Sequence, residues 1–292
     1  PTWDTPANAT WNRGKRSITL DLKSEADRNT ARSLIASADV VIENFRPGVM
    51  ARMNLGPDVL RGADPRLIYV SVSAYGQHGT MSSRPGLDPV LQAESGMMSI
   101  TGPIDGEPMR HPLSLVDMMT ANHATSAILA ALLGRAAHGQ GDEIDLCLMD
   151  TAVGALANAG LQYLTTGTVP ARSGNRHMVA APIDLFATAT EPVYLAMATD
   201  KLFGELCQVI GRPELVGDER FNRPGRRAQN RDVLKAEIEE ALETRPAAEW
   251  LAEMPHLPVG AVRTIDQSLE SPEGAEREMV RRIPEGDEEI AV

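Results

Sequence analysis

One carboxylate, Asp117, opens a run that is otherwise small or apolar, "SLVDMMTANHATSAILAALLG" over residues 114–134, with no basic residue beside it in sequence. An acid in the first turn of a helix ordinarily stabilises it by about 1 kcal/mol, by meeting unpaired amides and the positive end of the helix dipole. The same position also suits a nucleophile. Helix amides keep a carboxylate ionised, and an apolar wall strips it of water and leaves it reactive. Asp88, after the glycine-rich loop "YGQHGTMSSRPGLD", carries the same two readings. Lys23, Arg46 and Arg52 fall near predicted strand ends, where a cation is either a solvated surface charge or a ligand for phosphate.

The elements that must position these groups follow from hydrophobic periodicity. Residues 17–22 alternate like a half-buried strand, residues 24–38 carry a Ser cap and helical spacing, and residues 39–45 read as a buried parallel strand. A second helix closes before Pro65, and residues 66–76 form the next strand, which runs into the glycine-rich loop. Alternation of this kind predicts an α/β fold with a doubly wound parallel sheet, whose ligands sit beyond the carboxyl ends of the strands. Asn44, Phe45 and Tyr75 stand there.

Residues 88–102 read as one helix. The quoted run follows as a buried helix, with positions 121, 124, 128, 131 and 132 on its inner face, and "GQGDEIDLCL" turns into a strand ahead of a helix opened by Asp150. Past "SGNRH" the composition shifts to a strand pair followed by three helices, a smaller α+β unit. The predicted division is a large domain over residues 1–165, a small one over 166–262, and a return segment over 263–292. The chain enters on a loop, which implies a preceding segment.

A net charge of −12 and a pI near 5.0 repel nucleic acid and anionic membrane surfaces. No apolar run approaches the roughly 20 residues of a membrane span, and the two cysteines lie in apolar runs, as reduced buried thiols in a cytoplasmic protein would. Dinucleotide, P-loop, zinc and nucleophile-elbow signatures are missing, and the six histidines are scattered.

Taken in order, "NRGKRSITLDLK", "ADVVIENFRPGVMARMNLG", "DPRLIYVSVSAYG", "SRPGLDPVLQAESGMMSITG", "PLSLVDMMTA" and "GQGDEIDLCLMD" closely resemble the class III coenzyme A-transferases, the group of formyl-CoA transferase, carnitine CoA-transferase and the α-methylacyl-CoA racemases. The resemblance implies a Rossmann-like large domain with a small domain, and two chains interlocked as a homodimer. It also implies that Asp117 attacks an acyl-CoA thioester, forming an aspartyl anhydride and then an aspartyl-CoA thioester from which a carboxylic acid collects the CoA. Asp88 matches an acidic active-site position. Leu20, Lys23, Asn44, Phe45, Arg52 and Met53 match coenzyme A contacts, the two cations serving the phosphates. Coenzyme A enters as part of the substrate, and neither a metal nor a redox cofactor is called for.

Against the family pattern, the first strand and its loop are not in this sequence, and the chain stops where relatives continue. Racemase-like members carry a histidine base in a "GxxHxxG" pattern; between Gly96 and Gly102 that place is held by Ser99, which cannot act as the base unaided. Transfer therefore leads over racemase or epimerase chemistry, with a non-catalytic CoA-ester-binding protein as the reading from another class.

Overall fold

The computed structural model describes residues 11–12, 14–285 and 288–291. The loop predicted at residues 1–10 lies outside them. The chain divides into two units, one of which is Ile18–Gly174, and the other combines the described residues up to Ser17 with those from Asn175 onward.

In the first unit, helix α1 (Glu25–Ile35) starts at Ser24, whose hydroxyl accepts the Asp27 amide. Leu20, Leu22 and Ile35 pack on a cluster around Leu55, Leu60, Leu67 and Tyr69. The strand expected at residues 17–22 is not formed. Leu20 and Leu22 do alternate inward, but no strand pairs with them among the described residues, and a strand exists only through its ladder.

Strands β1 (Val40–Glu43), β2 (Ile68–Ser73) and β3 (Glu143–Cys147) form a parallel sheet in that spatial order, so the expected α/β fold is observed. Parallel pairing demands crossovers. Helices α2 (Val49–Arg52) and α3 (Pro57–Ala63) make the first. Helices α4 (Asp88–Glu94), α5 (Met97–Ile100) and α6 (Leu115–His138) make the second. Central β2 buries Ile68, Tyr69 and Val70 completely, whereas β1 lies at the edge and leaves Ile42 58% exposed, so its expected burial is only partial.

Two helix expectations need correction. The single helix over residues 88–102 is broken at Gly96, whose φ of 95° belongs to glycine and ends one helix while capping the next. Helix α6 forms as predicted but is not buried along its length. Val116, Thr120 and Ala124 are its buried residues, the rest of the predicted inner face is half-buried or exposed, and Leu129 and Leu133 are open to solvent. Helices α7 (Leu148–Gly154) and α8 (Ala157–Thr166) complete the unit.

The second unit is built on an antiparallel sheet of β4 (Ile183–Phe186), β5 (Val193–Ala196) and β6 (Val259–Ala261); the predicted strand pair forms β4 and β5, and β6 adds a third strand that the sequence reading does not include. Helices α9 (Asp200–Val209), α10 (Pro224–Gln229), α11 (Arg231–Leu242) and α12 (Ala247–Glu253) accompany it. Their inner faces close a core around Phe186, Leu195, Phe203, Leu206, Ile238 and Trp250. Among the described residues no helix is long and apolar enough to cross a membrane.

Candidate active site

Asp117 is the third residue of α6, in its first turn. Its neighbour Val116 is fully buried in a cluster with Tyr75, Leu91, Leu148 and Ala152, which anchors the helix start. The period of the helix turns Asp117 away from that cluster, and the residue is exposed to solvent. Among the described residues its carboxylate has neither a hydrogen-bond donor nor a cationic partner.

The capping role falls to Asp88 instead. Ser114 occupies the cap position but makes no side-chain bond to the helix. The Asp88 carboxylate, 4% exposed, accepts the Val116 amide at 2.7 Å and the Asp117 amide at 3.2 Å on one oxygen. Its other oxygen accepts the side-chain amide of Gln92 at 2.6 Å. Two acids thus share a helix terminus with opposite assignments: Asp88 is fully engaged by donors, while Asp117 is left uncommitted.

That arrangement raises the Asp117 pKa above the ordinary aspartate value, first through desolvation by the protein packed on its inner side and second through the Asp88 charge. Desolvation acts although the outer flank is wet, because the charged form still loses water on the inner one. A carboxylate without bound donors and with a raised pKa is a better nucleophile than one locked in an ion pair.

The other predicted contacts lie on the same unit. Leu20 and Met53 are half-buried against the α1 cluster. Asn44, exposed at the carboxyl end of β1, donates its amide to the Val72 carbonyl at 2.6 Å and so ties the ends of β1 and β2 together. Phe45 is 45% exposed, its backbone amide held by the buried Glu43 carboxylate at 2.7 Å. Lys23 and Arg52 are exposed. The ion pairs of this unit use Arg61, Arg84 and Arg135, so both cations lack an acidic partner among the described residues. Gly48, at φ 78°, lets the Arg52 guanidinium fold back to 3.2 Å from where a Cβ would stand.

The structure brings Asp88 and Asp117 together, and Leu20 and Met53 onto one cluster. No hydrogen bond or ion pair joins these two groups among the described residues. Tyr75, expected to face a ligand, is turned inward; its hydroxyl donates to Glu94 at 2.6 Å, and Arg84 binds the same carboxylate and lies over the ring. Gln92 was not singled out in the sequence, although its spacing of four residues from Asp88 places the two on one helix face. No cluster of three or more His, Cys, Asp or Glu is placed to hold a metal ion among the described residues.

Residues 2–292 match the profile of a family described as CoA-transferase family III. The chain is 41% identical over 273 residues to the acetyl-CoA:oxalate CoA-transferase of Acetobacter aceti, covering 92% of this chain and 70% of that one. It is 38% identical to an acyl-CoA transferase of Fusarium pseudograminearum, covering 94% of this chain and 60% of the relative's length. A crystal structure of Rv3272 from Mycobacterium tuberculosis superposes with a TM-score of 0.87 at 36% identity, over 96% of this chain and 76% of that one.

Proposed function

The chain belongs to CoA-transferase family III, and from that premise we propose that it moves coenzyme A from an acyl-CoA to a carboxylic acid, with Asp117 as nucleophile. One Asp117 oxygen attacks the thioester carbonyl, the carbon–sulfur bond breaks, and CoA leaves as thiolate with an aspartyl anhydride behind it. The thiolate attacks the aspartyl carbonyl of that anhydride, releasing the donor acid as its carboxylate and leaving an aspartyl-CoA thioester. The acceptor carboxylate repeats the two steps in reverse and departs as its CoA thioester, and Asp117 is regenerated. One thioester is exchanged for another, so catalysis lies in holding the tetrahedral oxyanions and excluding water.

The observation that supports this reading is the pairing of a buried acid that caps α6 with a second acid, Asp117, whose carboxylate has no cationic partner among the described residues. Lys23 and Arg52, without acidic partners among the described residues, supply two cations for nucleotide phosphates, and Leu20, Met53, Phe45 and Asn44 supply apolar and polar contacts. The apolar side chains exposed on α6 and α8, Leu129, Leu133, Leu161 and Leu164 among them, favour burial against a second copy in a dimer. The two unpaired buried cysteines fit a reducing compartment, the cytoplasm in this proposal.

Mass spectrometry after incubation with a panel of acyl-CoAs that includes acetyl-CoA and succinyl-CoA tests the reading. A covalent adduct is expected on the peptide containing Asp117 and is lost in Asp117→Ala. An Asp117→Ala protein that still turns over acyl-CoA would refute the mechanism.

A further inference from the structure

Gln92 is 1% exposed and spends both ends of its side chain at one junction. Its carbonyl oxygen accepts the His111 amide at 2.8 Å, and its NH2 donates to Asp88 at 2.6 Å and lies 3.3 Å from the Leu113 carbonyl. The His111 donor on one side and the Asp88 acceptor on the other allow only one orientation of the amide. His111 and Leu113 belong to the loop entering α6, and Asp88 holds the first amides of that helix. A single side chain thus fixes both the cap and the loop that set the backbone of Asp117.

We infer that Gln92 is the positioning residue for Asp117, clamping the Asp88 carboxylate and the loop at 111–113 to the first turn of α6. The inference rests on the reading of Asp117 as nucleophile. Attack on a thioester requires the oxygen near 3 Å from the carbonyl carbon, and a displacement on the order of 1 Å at the helix start costs roughly a hundredfold in rate. Gln92 is too deeply buried to meet substrate, so it acts through Asp88 and the backbone.

Two variants test this. Gln92→Glu keeps the size and the acceptor for His111 but, when ionised, offers Asp88 no donor; Gln92→Leu removes both. Acetyl-CoA and succinyl-CoA are the donor probes, with oxalate and glutarate as acceptors. In both variants kcat is expected to fall about tenfold or more while KM for the acyl-CoA stays within about twofold, because ground-state binding is untouched. Hydrogen exchange of the peptide over residues 111–120 is expected to accelerate, and the melting temperature of Gln92→Glu to fall, because two carboxylates then meet in a buried site. A folded Gln92→Glu with wild-type kcat overturns the inference, whether or not exchange accelerates, since a purely structural residue would behave that way. Should either variant fail to fold, the other decides. If the wild type itself gives no turnover and no Asp117 adduct, the nucleophile reading fails, and unchanged hydrogen exchange in Gln92→Glu separately overturns the clamp.

Discussion

The buried carboxylate of Asp88 accepts the backbone amide of Asp117 at 3.2 Å, so one acid holds by its backbone the other whose side chain stays free. Both are acids near one helix terminus, yet the environment separates their tasks. Removing the Asp88 side chain strands the Val116 amide in the core and leaves the Gln92 NH2 without its nearest acceptor. Asp88→Ala is therefore expected to lower the unfolding free energy by about 2–3 kcal/mol, from the lost cap and the unpaired groups. Ser114→Ala, at the nominal cap position, should change it by less than about 0.5 kcal/mol. Chemical denaturation of the two variants reads the difference, and a larger effect at Ser114 would contradict the cap assignment.

Asp117 links stability to pH in the direction opposite to most surface acids. Its folded pKa is raised above the ordinary value of 3.8, so between those two values the native state holds the proton more tightly than the unfolded chain. Stability then falls as pH rises through that window, and the full penalty is present above it. Asp117→Asn removes the penalty and is expected to unfold at higher denaturant than wild type at pH 7. The advantage should shrink as pH falls through the raised pKa and vanish below 3.8, where both forms are neutral. One wet flank keeps the effect small. A variant less stable than wild type at pH 7 would show that the carboxylate is stabilised by its surroundings, contrary to the site described above.

Local signals suffice where one segment contains all the physics. Ser24 and its helix are an example, because cap, first-turn acids and apolar spacing lie within a dozen residues. The strand at 17–22 failed because a ladder needs a distant partner, and alternation alone cannot supply one. The length of α6 was legible, but its burial was not, since an apolar stripe does not say what covers it. Asp88 as the cap of α6 was illegible because it stands 29 positions before Asp117, the acid that the sequence places at the helix start. Gln92 left only a spacing of four from Asp88, which many helices share.

Cys147 and Cys207 should be inert in the folded protein. Burial pushes the Cys207 thiol up to about 12, and burial also raises that of Cys147. The thiolate is the reacting species, so near pH 8 neither residue presents it. Alkylation by iodoacetamide is expected to be slow under native conditions and to proceed at both positions once the chain is denatured. Rapid native labelling of Cys207 would show that its core opens far more often than its packing allows.

Arg227 tests how the second unit is held. Its side chain is 1% exposed, with guanidinium nitrogens donating to the Ala181 carbonyl at 3.2 Å, the Phe221 carbonyl at 3.0 Å and Asp200 at 2.5 Å, and its plane lies over Phe203. Asp200 is 68% exposed, so that half of the ion pair is already hydrated. The two halves therefore differ in consequence. Asp200→Asn should lower stability by less than about 1 kcal/mol, as for a solvent-screened pair. Arg227→Met strands two carbonyls and forfeits the ring contact, and it is expected to lower stability by about 3 kcal/mol. Arg227→Lys should fall nearer to Met than to wild type, because a point charge on a flexible stem cannot serve three acceptors set for a planar fork. Denaturant unfolding of the three variants checks this order, and equal losses at Asp200 and Arg227 would mean that the ion pair, rather than the buried fork, is what holds the unit.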